Sequence, residues 1–240
     1  MLTLKRTSLS LATGLALAAL GTAALAAPTF SLSKNGLQWA GEPGTPPARL
    51  AVRGKQLDQR PAQGSTPALA LLLDSDQAQP LLVQAPASTS TKLQPWTALP
   101  VLNFNVEALC LYRDAQALTH LFAIGSNGLT EQWLLSEQGH RLLRRLALPA
   151  GSEHCQADDA TGQLYVSQPG LGVWRYAIAE EGAPTGVPVS LRKPWGRLAF
   201  APGALKLQGG QLMVSEDDGP RQARYPLAGA ALSSLPIVQA

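Results

Sequence analysis

Three acidic clusters carry residue types that could do metal or acid–base chemistry. Asp158-Asp159 precedes Ala160-Thr-Gly162 within Cys155-Gln-Ala-Asp-Asp-Ala-Thr-Gly-Gln-Leu-Tyr-Val166. Paired carboxylates can ligate a hard cation, or they can satisfy backbone N–H groups in a turn. With glycine following, the pair reads as a hairpin turn. Asp74-Ser-Asp76 has the Asp-x-Asp start of a calcium loop but neither its glycine nor its closing glutamate. Glu216-Asp-Asp218 runs into Gly219-Pro220 and reads as a solvated turn. His120, His140 and His154 share no metal-like spacing, and no Gly-x-Ser-x-Gly elbow is present. Cys110 and Cys155 lack the close pairs of a zinc site. They form either a disulfide or two buried free thiols. A bridge across so long a loop would contribute about 3–4 kcal/mol in the chain-entropy model.

The elements around these residues are short strands. Apolar runs of four to six residues alternate with Gly, Pro, Asp, Asn and Ser. Three stretches share one layout, opening at Glu107, Glu153 and Gly203, 46 and 50 positions apart. Each has a strand, a turn, a strand, a second turn and a third strand. Fourth strands fall at Arg141 to Leu148 and Val187 to Leu191. An all-strand repeat of this length is the pattern of a propeller blade. Weaker copies at Leu37 to Trp39, Arg49 to Arg53, Ala68 to Leu73 and Leu81 to Gln84 allow one or two more blades. Ala85 to Pro100 reads as a surface loop. Trp133, Trp174 and Tyr176 occupy equivalent strand positions and should pack between blades. The expected fold is an all-β propeller of four to five blades of four-stranded antiparallel sheets, with an incomplete ring.

Residues 1–26 read as a secretory signal peptide: Lys5-Arg6, an apolar run from Leu9 to Leu20, and Ala24-Leu25-Ala26 before the cut. Residues 27–240 are then one domain in the periplasm or outside the cell, with no membrane contact once the leader is cut. The chain has 19 basic residues, two of them in the leader, which leaves 17 against 16 acidic ones. No basic stripe with interleaved aromatics is present, so a nucleic-acid partner is not expected.

The second repeat, with its Glu-x-x-x-Ala-Asp-Asp-x-x-Gly-x-Leu-Tyr-Val core and Val173-Trp-Arg-Tyr176 strand, resembles the β-propeller phytases. So does the first repeat, with Leu111-Tyr112 and Glu131-Gln-Trp-Leu134. Lys55-Gln-Leu-Asp-Gln-Arg60 is similar to the family's Asn-Asn-Val/Ile-Asp-x-Arg motif, with Asp58 and Arg60 kept and both asparagines replaced. The resemblance implies a family activity: calcium-dependent hydrolysis of phosphate monoesters of myo-inositol hexakisphosphate (phytate) in a six-bladed propeller. Calcium would neutralise phosphate and activate a water there. It also implies site residues. Glu153 matches a channel glutamate and Glu107 shares its register, so both are candidate metal ligands. Asp58 and Arg60 are candidates to touch phosphate, or else to form an ion pair across a blade junction.

Other family positions have lost their chemistry. Ser167-Gln168-Pro169 and Ala201 to Leu205 stand where carboxylates are expected, and Ser126 stands where a phosphate-binding lysine is expected. The pattern resembles the incomplete N-terminal propeller of two-domain members. The expected function is therefore a catalytically impaired phytase-related domain that binds phytate or another phosphorylated small molecule, or docks to a catalytic phytase propeller. The alternatives are a weakly active calcium-dependent phytase, which would be a phosphoric monoester hydrolase, and a non-catalytic protein-interaction propeller.

Overall fold

A computed structural model of the chain describes residues 28–41, 44–86, 90–179, 184–227 and 238–239. The expected signal peptide, residues 1–26, lies outside them. The described residues form strands and turns without a helix. The strands make five antiparallel sheets in chain order, a five-bladed β-propeller. The first blade has three strands: β1 (Thr29–Ser33), β2 (Gly36–Ala40) and β3 (Ala48–Leu50). The second has β4 (Gly54–Arg60), β5 (Leu69–Asp74), β6 (Gln79–Gln84) and β7 (Gln94–Pro95). The third has β8 (Val106–Arg113), β9 (Thr119–Gly125), β10 (Leu129–Ser136) and β11 (Gly139–Ala147). The fourth has β12 (His154–Asp158), β13 (Gln163–Gln168), β14 (Gly172–Ala177) and β15 (Val187–Leu191). The fifth has β16 (Pro202–Gln208), β17 (Gln211–Glu216), β18 (Gln222–Pro226) and β19 (Val238–Gln239).

The four-strand repeat reads out as expected from Glu107 onward. One expectation is corrected. Ala85 to Pro100 is not all loop, because β7 pairs there with β6 as Val83↔Pro95 and Gln84↔Gln94. Two residues are too few to show a strand period in the sequence.

Burial explains why some strands are apolar throughout and others alternate. Side chains along a strand point to opposite faces. In β5, Leu69, Leu71 and Leu73 enter the junction with the third blade, while Ala70 and Leu72 enter the junction with the first. In β9, Leu121 and Ala123 face the second blade, and Phe122 and Ile124 face the fourth. A strand between two blades buries both faces, so Leu69-Ala-Leu-Leu-Leu73 needs no polar residue.

The end blades differ. β1 reads Thr-Phe-Ser-Leu-Ser, with Phe30 buried and Thr29, Ser31 and Ser33 exposed. In β16 and β18, Leu205, Ala223 and Tyr225 are buried, while Ala204, Lys206, Gln222 and Arg224 are exposed. The outward faces of the first and fifth blades are thus polar. Among the described residues, apolar clusters fill the four junctions from first to fifth blade. A polar outer face is also how terminal units of repeat arrays remain soluble.

Innermost strands pack in order: β1 on β4, β4 on β8, β8 on β12, and β12 on β16. Cys110 on β8 and Cys155 on β12 form a disulfide that ties the third blade to the fourth. Tyr176 is buried in the same junction, with Trp174 half-buried against it, and Trp133 packs between the second and third blades.

Candidate functional site

β4 organises the centre. A bulge between Lys55 and Asp58 shifts its pairing with β5, and Gln56 takes a left-handed φ of 58°. Such a φ is rare outside glycine, so the surroundings must hold it. They do: the Gln56 side chain donates to the carbonyls of Glu107 and Glu153 and accepts from Leu109 N–H at 3.2 Å. Glu107, the second residue of β8, and Glu153, which immediately precedes β12, are repeat-equivalent. One glutamine therefore clamps the same position of two blades.

Arg60 repeats the pattern one turn of the pleat further along. It donates to the carbonyls of Leu111 and, at 3.3 Å, Ala157, which are again 46 positions apart. It also pairs with Asp58 at 2.6 Å and Asp159 at 2.7 Å. Asp58 accepts in turn from Leu111 N–H at 2.8 Å, and Asp159 accepts from Arg113 N–H at 3.1 Å. Desolvation pushes the Asp58 carboxyl up, against the pull of Arg60. Arg113 adds bonds to Pro61 O at 2.8 Å and Gln63 Oε1 at 3.2 Å. Arg60, Asp58 and Asp159 form a charged network joined to Arg113 through its backbone N–H; it links three blades, and both arginines are buried.

The Asp158-Asp159 pair therefore splits. Asp158 does turn work, accepting from Ala160 N–H at 3.1 Å and Thr161 Oγ1 at 2.6 Å. Asp159 is a partner of Arg60, which the sequence reading did not foresee. Asp74 behaves as the turn expected, accepting from Asp76 and Gln77 N–H groups.

At the other end of β4 lies a cavity of about 510 Å³. Its lining includes Lys55, Asp58, Glu107, Glu153, His154 and Ala204, from the inner strands of four blades. Glu107 accepts from Asn105 Nδ2 at 2.8 Å. Glu153 and His154 stand beside Asp217 of the β17–β18 turn, with one potential ligand atom from each lying within 4.8 Å of the others. The turn is fixed by Asp217 N–H bonding to Ala201 O at 2.8 Å. Gly203 lets it approach, since a Cβ there would sit 3.0 Å from the Asp217 backbone. Desolvation raises the Glu153 carboxyl, with Asp217, Glu107 and Asp218 adding to it and Lys55 opposing. Desolvation also lowers His154, so its imidazole is neutral over a wider pH range.

The structure thus brings Glu107, Glu153 and Asp58 to the lining of one cavity, with Arg60 paired to Asp58 outside that lining. Lys55, His154 and Asp217 join the site although none was expected there: His154 shares no metal-like spacing with the other histidines, and Asp217 lies in the stretch read as a solvated turn. The repeat fixes the place of Asp217 within its own blade but not its approach to Glu153 and His154. In each antiparallel repeat the turn between second and third strands lies beside the start of the innermost strand, as Pro202↔Glu216 and His154↔Ser167 show.

No protein-family model matches the chain, and no curated protein matches it in sequence. Solved structures do. The chain is similar to the Dos1 propeller at 10% identity, covering 83% of this chain and 54% of that one, with a TM-score of 0.50. It is similar to a chain of the nidogen/laminin complex at 14% identity, covering 82% and 70%, with a TM-score of 0.47. A protein from Lactobacillus plantarum aligns at 17% identity over 77% and 51%, with a TM-score of 0.44. The chain spans about half the length of the Dos1 propeller. At such identity the likeness speaks to the propeller fold alone.

Proposed function

We propose that this propeller is phytase-related and binds a phosphorylated small molecule, phytate in the first instance, at the cavity through a bridging divalent cation, without efficient turnover. The observation that carries the reading is the charge at the cavity. Glu107, Glu153 and the neighbouring Asp217 face a single lining lysine, Lys55. A polyanion is repelled by that arrangement until a cation binds. Once a cation sits on the carboxylates, it can hold a phosphoryl oxygen, and Lys55 can pair with a neighbouring one. By the resemblance the cation is calcium. Efficient hydrolysis would need more carboxylates converging on the cation and the activated water. Ser167 and Gln168 bring none: Ser167 Oγ donates to Gly203 O at 2.7 Å, and Gln168 Nε2 donates to Ala150 O. The domain would then serve a catalytic propeller by holding substrate or by docking to it. The export expected from the leader, to the periplasm or beyond, suits a domain that carries a disulfide.

A protein-interaction propeller without a phosphate role is the second reading. It is favoured by the internal use of Asp58 and Arg60, whose polar groups bond other blades. The deciding experiment follows phosphate release from phytate with added calcium and, in parallel, phytate binding by calorimetry. Cation-dependent binding without release supports the proposal. Release at rates typical of phytases overturns the impaired reading, and absence of binding favours the second one.

A further inference from the structure

The side chains of Glu153, His154 and Asp217 converge, yet none of them makes a hydrogen bond among the described residues. Their nearest ligand atoms lie within 4.8 Å of one another, at the junction of the fourth and fifth blades. Two carboxylates this close, with no donor between them, repel each other. Glu153 and His154 also line the cavity, which has room for a ligand.

Chemistry of the donor set narrows the ion. Calcium takes six to eight oxygen ligands. Here two carboxylates come with an imidazole, and a neutral imidazole is a ligand for zinc and its neighbours rather than for a hard cation. Three protein ligands leave coordination positions open, as catalytic and substrate-binding zinc sites do. We infer that Glu153, His154 and Asp217 form a site for a divalent transition metal of the zinc class, open on the cavity side to an oxyanion ligand. The inference rests on the reading of the cavity as a cation-bridged binding site, and it replaces the calcium which the resemblance implies. Gly203 is a positioning residue in it, because it admits the Asp217 turn to this place.

The test titrates the full chain, stripped with chelator, with Zn²⁺ alone and with Ca²⁺ alone. Zn²⁺ is expected to bind at one equivalent, at least about tenfold tighter than Ca²⁺. His154→Gln and Asp217→Asn should each weaken Zn²⁺ by about tenfold or more, with thermal stability of the metal-free protein unchanged. Substitution with Co²⁺ should give a visible spectrum that His154→Gln alters, a readout independent of affinity. Gly203→Ala should weaken Zn²⁺ while leaving all three ligands in the sequence. Equal or tighter Ca²⁺ binding, or Zn²⁺ affinity indifferent to His154→Gln, overturns the inference. Phytate is then added to each metal form. If phytate binds with Ca²⁺ while Zn²⁺ shows no preference, the functional reading stands and the zinc-class site falls. If Zn²⁺ binds as described and no phosphate compound follows, the site stands and the functional reading falls.

Discussion

The two ends of β4 use similar residue types to opposite effect. At the Arg60 end, two arginines and two aspartates interlock with the backbones of three blades. At the Lys55 end, carboxylates and an imidazole gather around a cavity with few bonds to one another. The first arrangement spends its charge on holding the inner strands in register. The second leaves its charge available. A charged motif in a propeller channel therefore says little until its partners are known, since both ends gather carboxylates beside a cation.

The largest test of this contrast removes the centre of the closed network. Arg60→Met leaves Asp58, whose side chain is 13% exposed, and Asp159 without their cation and should cost about 3–5 kcal/mol in unfolding free energy. Denaturant melts would show it, and a loss below about 1 kcal/mol would mean that the network does not hold the blades. Next comes the disulfide between the third and fourth blades. Replacing Cys110 and Cys155 together by Ala should cost about 2–4 kcal/mol, for a bridge spanning 45 positions. It should also weaken cation binding, since Cys155 adjoins His154 on β12.

The smallest effect is electrostatic and lies on the surface. Glu216 pairs with Arg221 at 2.9 Å, and that hydrogen bond depresses its pKa. A carboxyl with a depressed folded pKa stabilises the fold above its ordinary pKa, and this is lost as pH falls through the folded value. Arg221→Met should lower stability slightly near neutral pH and flatten the acid limb, leaving stability below the folded pKa of Glu216 unchanged. A neutral-pH loss as large as that of Arg60→Met would erase the distinction between buried and exposed pairs.

Much of the fold was legible because blades repeat. Glu107 and Glu153 share a register, and the structure places both at the same Gln56 clamp and the same cavity. The first strand, Thr29–Ser33, was not read from the sequence, although its polar-apolar alternation contrasts with the unbroken Leu69 to Leu73 run. What was hidden depends on contacts between blades. Asp217 looks like any acidic turn residue, and only the packing of the fifth blade on the fourth carries it to Glu153 and His154. Asp159 looks like half of a turn pair, and only the approach of β4 makes it a partner for Arg60. Local pattern sees along a strand, whereas these pairings run across junctions between blades.

The central claim is that the open end binds and the closed end holds. It is tested most directly by calorimetric titration of phytate, with a divalent cation present, into the native chain and into Lys55→Ala and Glu153→Gln. The account predicts one-to-one binding that requires the cation and weakens about tenfold in each variant, with melting temperatures unchanged. Binding that ignores both substitutions, or that persists in full after the cation is chelated, would contradict it.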